Sequence, residues 1–221
     1  MRRKTVGALV VGDWNLSHAA LERLADRLEG ELVVGKHPDH GILLGAARLV
    51  RVDRLDPGAS DHAPILITLE VGEERVRVLW WNVYVGQAPA SVRAHLDGLL
   101  DLLEPDVVAL GEAYRLGAVL KRVPGYRRQR VPRGEGAELV TLVRRGPGTV
   151  TYSGRLRMRE RWIGPKHRLP HGPKAYPRLR IRLARRTVLR LLVVHLPTGG
   201  EGGPNDAAVV ETLDALEGWA R

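Results

Sequence analysis

Hydrophobic positions along the chain switch between two periods, and the switches mark its elements. Residues 5–11 are a continuous apolar, β-branched run stopped by Gly12, which predicts a buried strand. Over 17–28 the period changes: Ala20, Leu21, Leu24, Ala25 and Leu28 fall at helical spacing. Short strands are predicted at 32–34, 41–44 and 48–52. Two stronger ones, 65–71 and 76–85, flank the polar segment Gly72-Glu73-Glu74-Arg75 and read as a hairpin. Residues 90–103 return to helical spacing, with Leu96, Leu99, Leu100 and Leu103 on one face, and Glu104-Pro105 ends the helix. A buried strand at 107–110, a short helix at 116–123 and further strands up to residue 196 follow. Among these, 178–183 alternates Arg-Leu-Arg-Ile-Arg-Leu and presents one basic face. Residues 187–196 are almost wholly apolar and predict a central strand. Residues 206–219 predict a closing helix with Asn205 as its cap. The segment 163–177, with four prolines and several cations, is read as an exposed basic loop.

Composition narrows this picture. The 221 residues, 44% hydrophobic and 27% charged, suit one globular domain spanning 1–221. No apolar run reaches the ~18–20 residues of a membrane span. The start lacks the pattern of a secretory leader, so the expected location is cytoplasmic. The absence of cysteine excludes disulfides, zinc ribbons and thiol catalysis, and leaves oxygen and imidazole as metal ligands. The net charge is +10, and it is concentrated. Residues 115–190 carry 22 Lys or Arg against three acids, Glu135, Glu138 and Glu160. A basic middle on an otherwise acidic chain points to a polyanion, with no membrane and no obligate protein partner implied.

Acids, carboxamides and imidazoles recur at strand ends, where a sheet can aim them into a cleft. Asp13 and Asn15 follow the first strand in Gly12-Asp13-Trp14-Asn15. Asp39 precedes the apolar run 41–44. Asp61 and His62 precede a strand in Ser60-Asp61-His62-Ala63-Pro64. Asn82 interrupts an apolar strand after Trp81, and a buried carboxamide there needs a partner. Glu112 ends a buried strand, a good place for an oxygen ligand to Mg²⁺. His195 interrupts the last apolar run before Leu196. Each feature alone is also compatible with a turn, a strand cap or a satisfied core side chain.

Together these residues resemble the endonuclease/exonuclease/phosphatase superfamily, the group of deoxyribonuclease I and exonuclease III. The resemblance rests on Trp81-Asn82, on Pro105-Asp106 through Gly111-Glu112, on His195-Leu196, on Gly12-Asp13-Trp14-Asn15, on Asp39 and on Ser60-Asp61-His62-Ala63-Pro64. Gly111 stands where the family has Gln. The order also differs. The family runs Asn, Glu, His, Asp-x-Asn, Asp, Asp-His, and this chain runs through the same cycle from a different starting point. It therefore resembles a circular permutant, with the family's last and first strands joined by the turn at 72–75 and the break falling between the 206–219 helix and the 5–11 strand.

The resemblance implies a four-layer α/β/β/α sandwich, an α+β fold of two mostly antiparallel sheets with outer helices. It implies a phosphoric ester hydrolase dependent on Mg²⁺ or Mn²⁺. Glu112 would be the main metal ligand, with Asn82 and Asp61 nearby. Asp13 would orient or deprotonate the attacking water, helped by Asn15. His62, aligned by Asp39, and His195 would contact the phosphate. Lys166, Arg168, Lys174 and Arg178 are candidate contacts to a nucleic-acid backbone, DNA before RNA. The expected activity is that of a nuclease with little base specificity. The alternatives are a phosphatase or phosphodiesterase for a small phosphate ester and a non-catalytic nucleic-acid-binding module.

Overall fold

The computed structural model describes residues 5–35, 38–58, 60–83, 86–114, 116–129, 138–146, 149–157, 162–163, 170–171, 175–184, 186–196 and 206–220. In chain order the elements are β1 (Thr5–Asp13), α1 (His18–Arg27), β2 (Glu31–Val33), β3 (Asp39–Gly45), β4 (Ala47–Arg54), β5 (Ile65–Val71) and β6 (Glu74–Asn82). Then come α2 (Pro89–Leu103), β7 (Val107–Gly111), β8 (Tyr126–Arg128), β9 (Val140–Arg144) and β10 (Thr149–Arg157). The last are β11 (Trp162–Ile163), β12 (Pro170–His171), β13 (Ala175–Arg182), β14 (Thr187–His195) and α3 (Asp206–Ala220).

The strands form two six-stranded sheets. One runs β10-β13-β14-β1-β3-β2 in space, the other β4-β5-β6-β7-β9-β8, and β11 with β12 makes a separate ribbon. Both large sheets follow one plan. Each has a central parallel pair, β14 with β1 and β6 with β7, flanked by antiparallel neighbours. The β6–β7 pair is joined through α2, because parallel neighbours need a crossover. The β14–β1 pair is not joined that way, since β1 precedes β14 in the chain.

Side-chain alternation sorts the layers. A Cβ on Gly7 would meet Ala47 and Val71 of the other sheet, so odd positions of β1 face between the sheets. That interior holds Leu9, Val11, Ile67, Leu69 and Trp80 in one apolar core, which continues to Leu21 and Leu24 of α1 and Leu216 of α3. A second core lies between the other sheet and α2, around Trp81, Leu96, Leu100 and Val108. The result is the expected α/β/β/α sandwich, with α1 and α3 outside one sheet and α2 outside the other.

Most predicted elements are present. The β5–β6 hairpin closes through the two-residue turn Gly72-Glu73, tighter than the four residues expected. Gly72 has φ +64°, which suits glycine at the first turn position. Strand β6 ends at Asn82, so Asn82 terminates the strand rather than interrupting it. Residues 116–123 are turns, not a helix. One helical bond, from the amide of Leu120 to the carbonyl of Leu116, marks where the apolar spacing pointed. The 163–177 segment is not wholly loop, since β12 and the start of β13 fall inside it.

Candidate active site

The strand registers bring the singled-out residues to one end of both sheets. In the first sheet Asp39 of β3 pairs with Asp13 of β1, and Asp13 pairs with His195 of β14, giving one row across three strands. In the second sheet Asn82 of β6 pairs with Gly111 of β7, and Glu112 follows. The two rows meet across the interior. The Asn82 amide nitrogen donates to Asp13 Oδ2 at 3.0 Å and faces Glu112 Oε1 at 3.4 Å. His195 Nε2 stands 3.7 Å from Asp13 Oδ2 and 3.9 Å from Glu112 Oε1.

Two carboxylates opposite each other on neighbouring strands repel. Asp39 and Asp13 are 1% and 3% exposed, so water does little to screen them. Each is held by donors from other elements. Asp39 Oδ1 accepts from Trp80 Nε1 at 2.6 Å, and Asp39 Oδ2 lies 2.7 Å from His62 Nδ1. Asp13 has the Asn82 bond, but its Oδ1 is buried with no hydrogen-bond partner among the described residues. Burial raises the Asp13 pKa and the nearby Asp39 charge adds to that, against the opposing pull of His195. For His62 burial disfavours the charged ring, yet the hydrogen bond and charge of Asp39 outweigh it and push the pKa up to about 9. The loop carrying His62 is fixed on three sides. Ser60 Oγ donates to the Asn82 carbonyl and accepts from the His62 amide, and Trp81 Nε1 donates to the His62 carbonyl.

The glycine at 111 has a steric cause. A Cβ there would lie 2.8 Å from Cη2 of Trp80, the same indole that donates to Asp39. The space beside Glu112 is thus taken by a large ring from the neighbouring strand. Glu112 itself sits at φ +53° and Asn15 at φ +48°, conformations uncommon for residues other than glycine. Both turn the chain sharply just beyond a strand end. Asn15 Nδ2 donates to the Leu196 carbonyl at 2.8 Å and ties the loop after β1 to the end of β14.

Sequence reasoning missed Glu138 and Tyr114. Glu138 is 3% exposed, its Oε1 lies 3.6 Å from His195 Nδ1, and its other oxygen accepts from the Tyr114 hydroxyl. The Ala113 amide donates to the Glu138 carbonyl at 2.7 Å, so the residue after Glu112 anchors this second acid–imidazole pair. Its only sequence signal was an acid in a strongly basic stretch.

Not every predicted residue joins the cluster. The Asp61 carboxylate is mostly exposed, with Oδ1 3.9 Å from His62 Nε2. Arg178 lies on the outer face of the first sheet. It pairs in register with Leu192 and shares that face with Arg180 and Arg190, away from the His195–Asp13 row. Lys166, Arg168 and Lys174 lie outside the described residues.

The junction of β1 and β14 leaves no room for a side chain at Gly12, where a Cβ would lie 1.9 Å from the Val194 carbonyl oxygen. Gly12→Ala is expected to part the strands that carry Asp13 and His195. The expected loss is about 1–3 kcal/mol or more of stability, the range of overpacking, read by urea unfolding.

No family model and no curated protein matches the chain in sequence. Solved structures do match in shape. The human Nocturnin catalytic domain with bound sulfate anion is 11% identical, covers 80% of this chain and 80% of its own, and superposes with a TM-score of 0.52. TDP2 from D. rerio, complexed with single strand DNA product, is 10% identical, covers 70% of this chain and 92% of its own, with a TM-score of 0.51. Both belong to one superfamily. This chain has the DNase I-like endonuclease/exonuclease/phosphatase fold. The candidate cluster is built where two parallel strand pairs end side by side.

Proposed function

We propose that this chain is a divalent-metal-dependent phosphodiesterase, a nuclease that hydrolyses DNA phosphodiester bonds with low base specificity. The observation that carries the reading is the convergence of Asp13, Glu112 and His195, whose ligand atoms lie within 4.8 Å of one another at a partly open mouth. A cation fits this set. Two carboxylates are hard oxygen donors and an imidazole can complete the set, and the buried Asp13 Oδ1 has no protein donor to satisfy it among the described residues. Glu112 and Asn82 would hold a Mg²⁺ or Mn²⁺ ion, with Asp61, exposed beside His62, as the further candidate ligand. When bound, the ion neutralises charge on the phosphate and on the leaving oxygen.

The remaining roles follow from placement. Asp13, a carboxylate made more basic by burial, orients the attacking water and takes its proton, with Asn15 fixing its loop. His62, charged at neutral pH, donates to a phosphate oxygen and is held in line by Asp39. His195 donates from the opposite side with Glu138 behind it. Nucleic acid is favoured as substrate by the +10 charge and its concentration in residues 115–190. Lys166, Arg168 and Lys174 belong to that segment and remain the candidate backbone contacts. The motif order is read as circular permutation, a reading supported by the tight β5–β6 hairpin and by the repeated plan of the two sheets.

The test is nicking of supercoiled plasmid with Mg²⁺ or Mn²⁺. Chelation with EDTA is expected to reduce it at least ~10-fold, the lower bound for losing electrostatic stabilisation of this kind. A parallel screen covers single strands, RNA, nucleotides and inositol phosphates. Nicking that survives EDTA would overturn the metal-dependent reading. Turnover confined to small esters would replace the nuclease reading with a phosphatase.

A further inference from the structure

Tyr114 differs from its fellow aromatic side chains in where its ring lies. Tyr126 and Tyr176 are buried, as are Trp80 and Trp81, whereas Tyr114 is 51% exposed. An exposed ring leaves apolar surface in water, and a side chain free to swing loses entropy when a ligand fixes it. Here the ring is already held at both ends. At its tip the hydroxyl donates to the carboxylate of Glu138, a buried residue. At its root the backbone is pinned on either side. The Ala113 amide donates to the Glu138 carbonyl at 2.7 Å, and the Leu116 amide donates to the Ala113 carbonyl at 3.1 Å. Ala113 and Leu116 both belong to the second core. The exposed part of Tyr114 is therefore a preorganised aromatic surface, ordered before any ligand arrives.

That surface stands beside the candidate active site. Tyr114 is two residues beyond Glu112, which holds their Cα atoms within ~7 Å of each other. Its hydroxyl is one carboxylate away from His195, whose Nδ1 lies 3.6 Å from Glu138 Oε1. The same loop meets a cation: Arg128, exposed at the end of β8, donates to the Gly117 carbonyl at 3.2 Å. A nucleobase is joined to its phosphate through a single sugar. A phosphate seated among Asp13, Glu112 and His195 thus brings an adjoining base to a comparable range. A flat apolar ring suits the flat face of that base whatever its identity, which agrees with low base specificity. In a duplex both faces of a base are covered by its neighbours, so this stacking needs an unpaired strand.

We propose that the Tyr114 ring is a stacking platform for the nucleobase adjoining the scissile phosphate, and that it directs the site to single-stranded or locally unpaired nucleic acid. This rests on the nuclease reading and narrows its substrate. A supercoiled plasmid offers such segments where its strands part.

Two measurements test it. In the first, the full chain is irradiated in EDTA with a single-stranded oligonucleotide carrying 5-iodouracil, which couples to an aromatic ring lying on the base. The crosslinked peptide is expected to contain Tyr114, and the crosslink to be lost in Tyr114→Leu. In the second, cleavage of one labelled strand with Mg²⁺ is compared free and in duplex. The wild type should favour the free strand at least ~5-fold, the scale of one base stacked on one ring. Tyr114→Phe and Tyr114→Leu both remove the bond to Glu138, so any cost passed on to His195 is common to them. Tyr114→Phe should keep the strand preference, and Tyr114→Leu should lose it. Cleavage with the same strand preference in both variants overturns the proposal and leaves the nuclease reading standing. Crosslinking at Tyr114 without cleavage of any nucleic acid keeps the platform and overturns the nuclease reading. Neither crosslink nor cleavage overturns both.

Discussion

Asp13→Asn is expected to lower plasmid cleavage at least ~10³-fold while making the protein more stable in EDTA at neutral pH. The activity loss follows from position, because among the described residues Asp13 belongs to both groups that can hold an ion and is the base candidate. The stability gain follows from the sign of its pKa shift. Burial raises the Asp13 pKa in the folded state above its unfolded value. A carboxyl shifted that way favours the fold below the unfolded value and loses that contribution as pH rises through the folded one. As pH rises the wild type must take on a buried charge opposite Asp39, and the neutral carboxamide of the variant avoids it. Thermal unfolding should show the variant's advantage opening above about pH 4 and absent below it. Added Mg²⁺ should stabilise the wild type more than the variant, since Asp13 lies in the same cluster as Glu112. Equal stability at all pH values, or undiminished cleavage, would remove Asp13 from this role.

Repulsion of this kind within a row of strand ends is a cost accepted at a site rather than a packing error. It also explains which parts of the protein its sequence disclosed. The strands and helices were legible because their apolar periods are long and unbroken, as in 5–11 and 90–103. The 116–123 stretch was misread because Leu116, Leu120 and Val123 have helical spacing over too few residues to sustain a helix without help. The Asp13, Asp39, His62, Asn82, Glu112 and His195 set was legible because each stands at or beside a strand end, and the registers of two parallel pairs gather those ends.

What stayed hidden was which face a residue uses. Alternation at 178–182 announced a basic face but not its side of the sheet, so Arg178 was expected at a cleft and lies on the outer face. Trp80 is fully buried, yet its indole N–H also holds Asp39 and its ring fills the place beside Gly111. The departure from the family's Gln is thus matched by a bulky neighbour, a relation between strands that no single motif carries. Glu138 was invisible for a similar reason, since its partners His195 and Tyr114 come from elsewhere in the chain.

The Asp39–His62 pair yields the sharpest pH signature. Asp39→Asn keeps an acceptor for Trp80 but removes the charge that holds His62 protonated. Burial is then opposed only by the remaining charges of Asp13 and Asp61, so the His62 pKa should fall and the ring should lose charge at about pH 7.5. Cleavage at that pH is expected to fall about 10²-fold, the scale of one lost electrostatic donor. The alkaline limb of the rate profile should move down from near pH 9, with partial recovery of rate at lower pH. Stability should move with it. A raised His62 pKa stabilises the wild type fully below about 6.5 and loses that contribution as pH rises through about 9. The pair is worth about 2 kcal/mol once solvent screening of the half-buried ring is allowed for. That pH-dependent decline should vanish in Asp39→Asn. A merely structural Asp39 would reduce rate and stability without shifting either profile, and an unmoved alkaline limb would separate His62 from the phosphate.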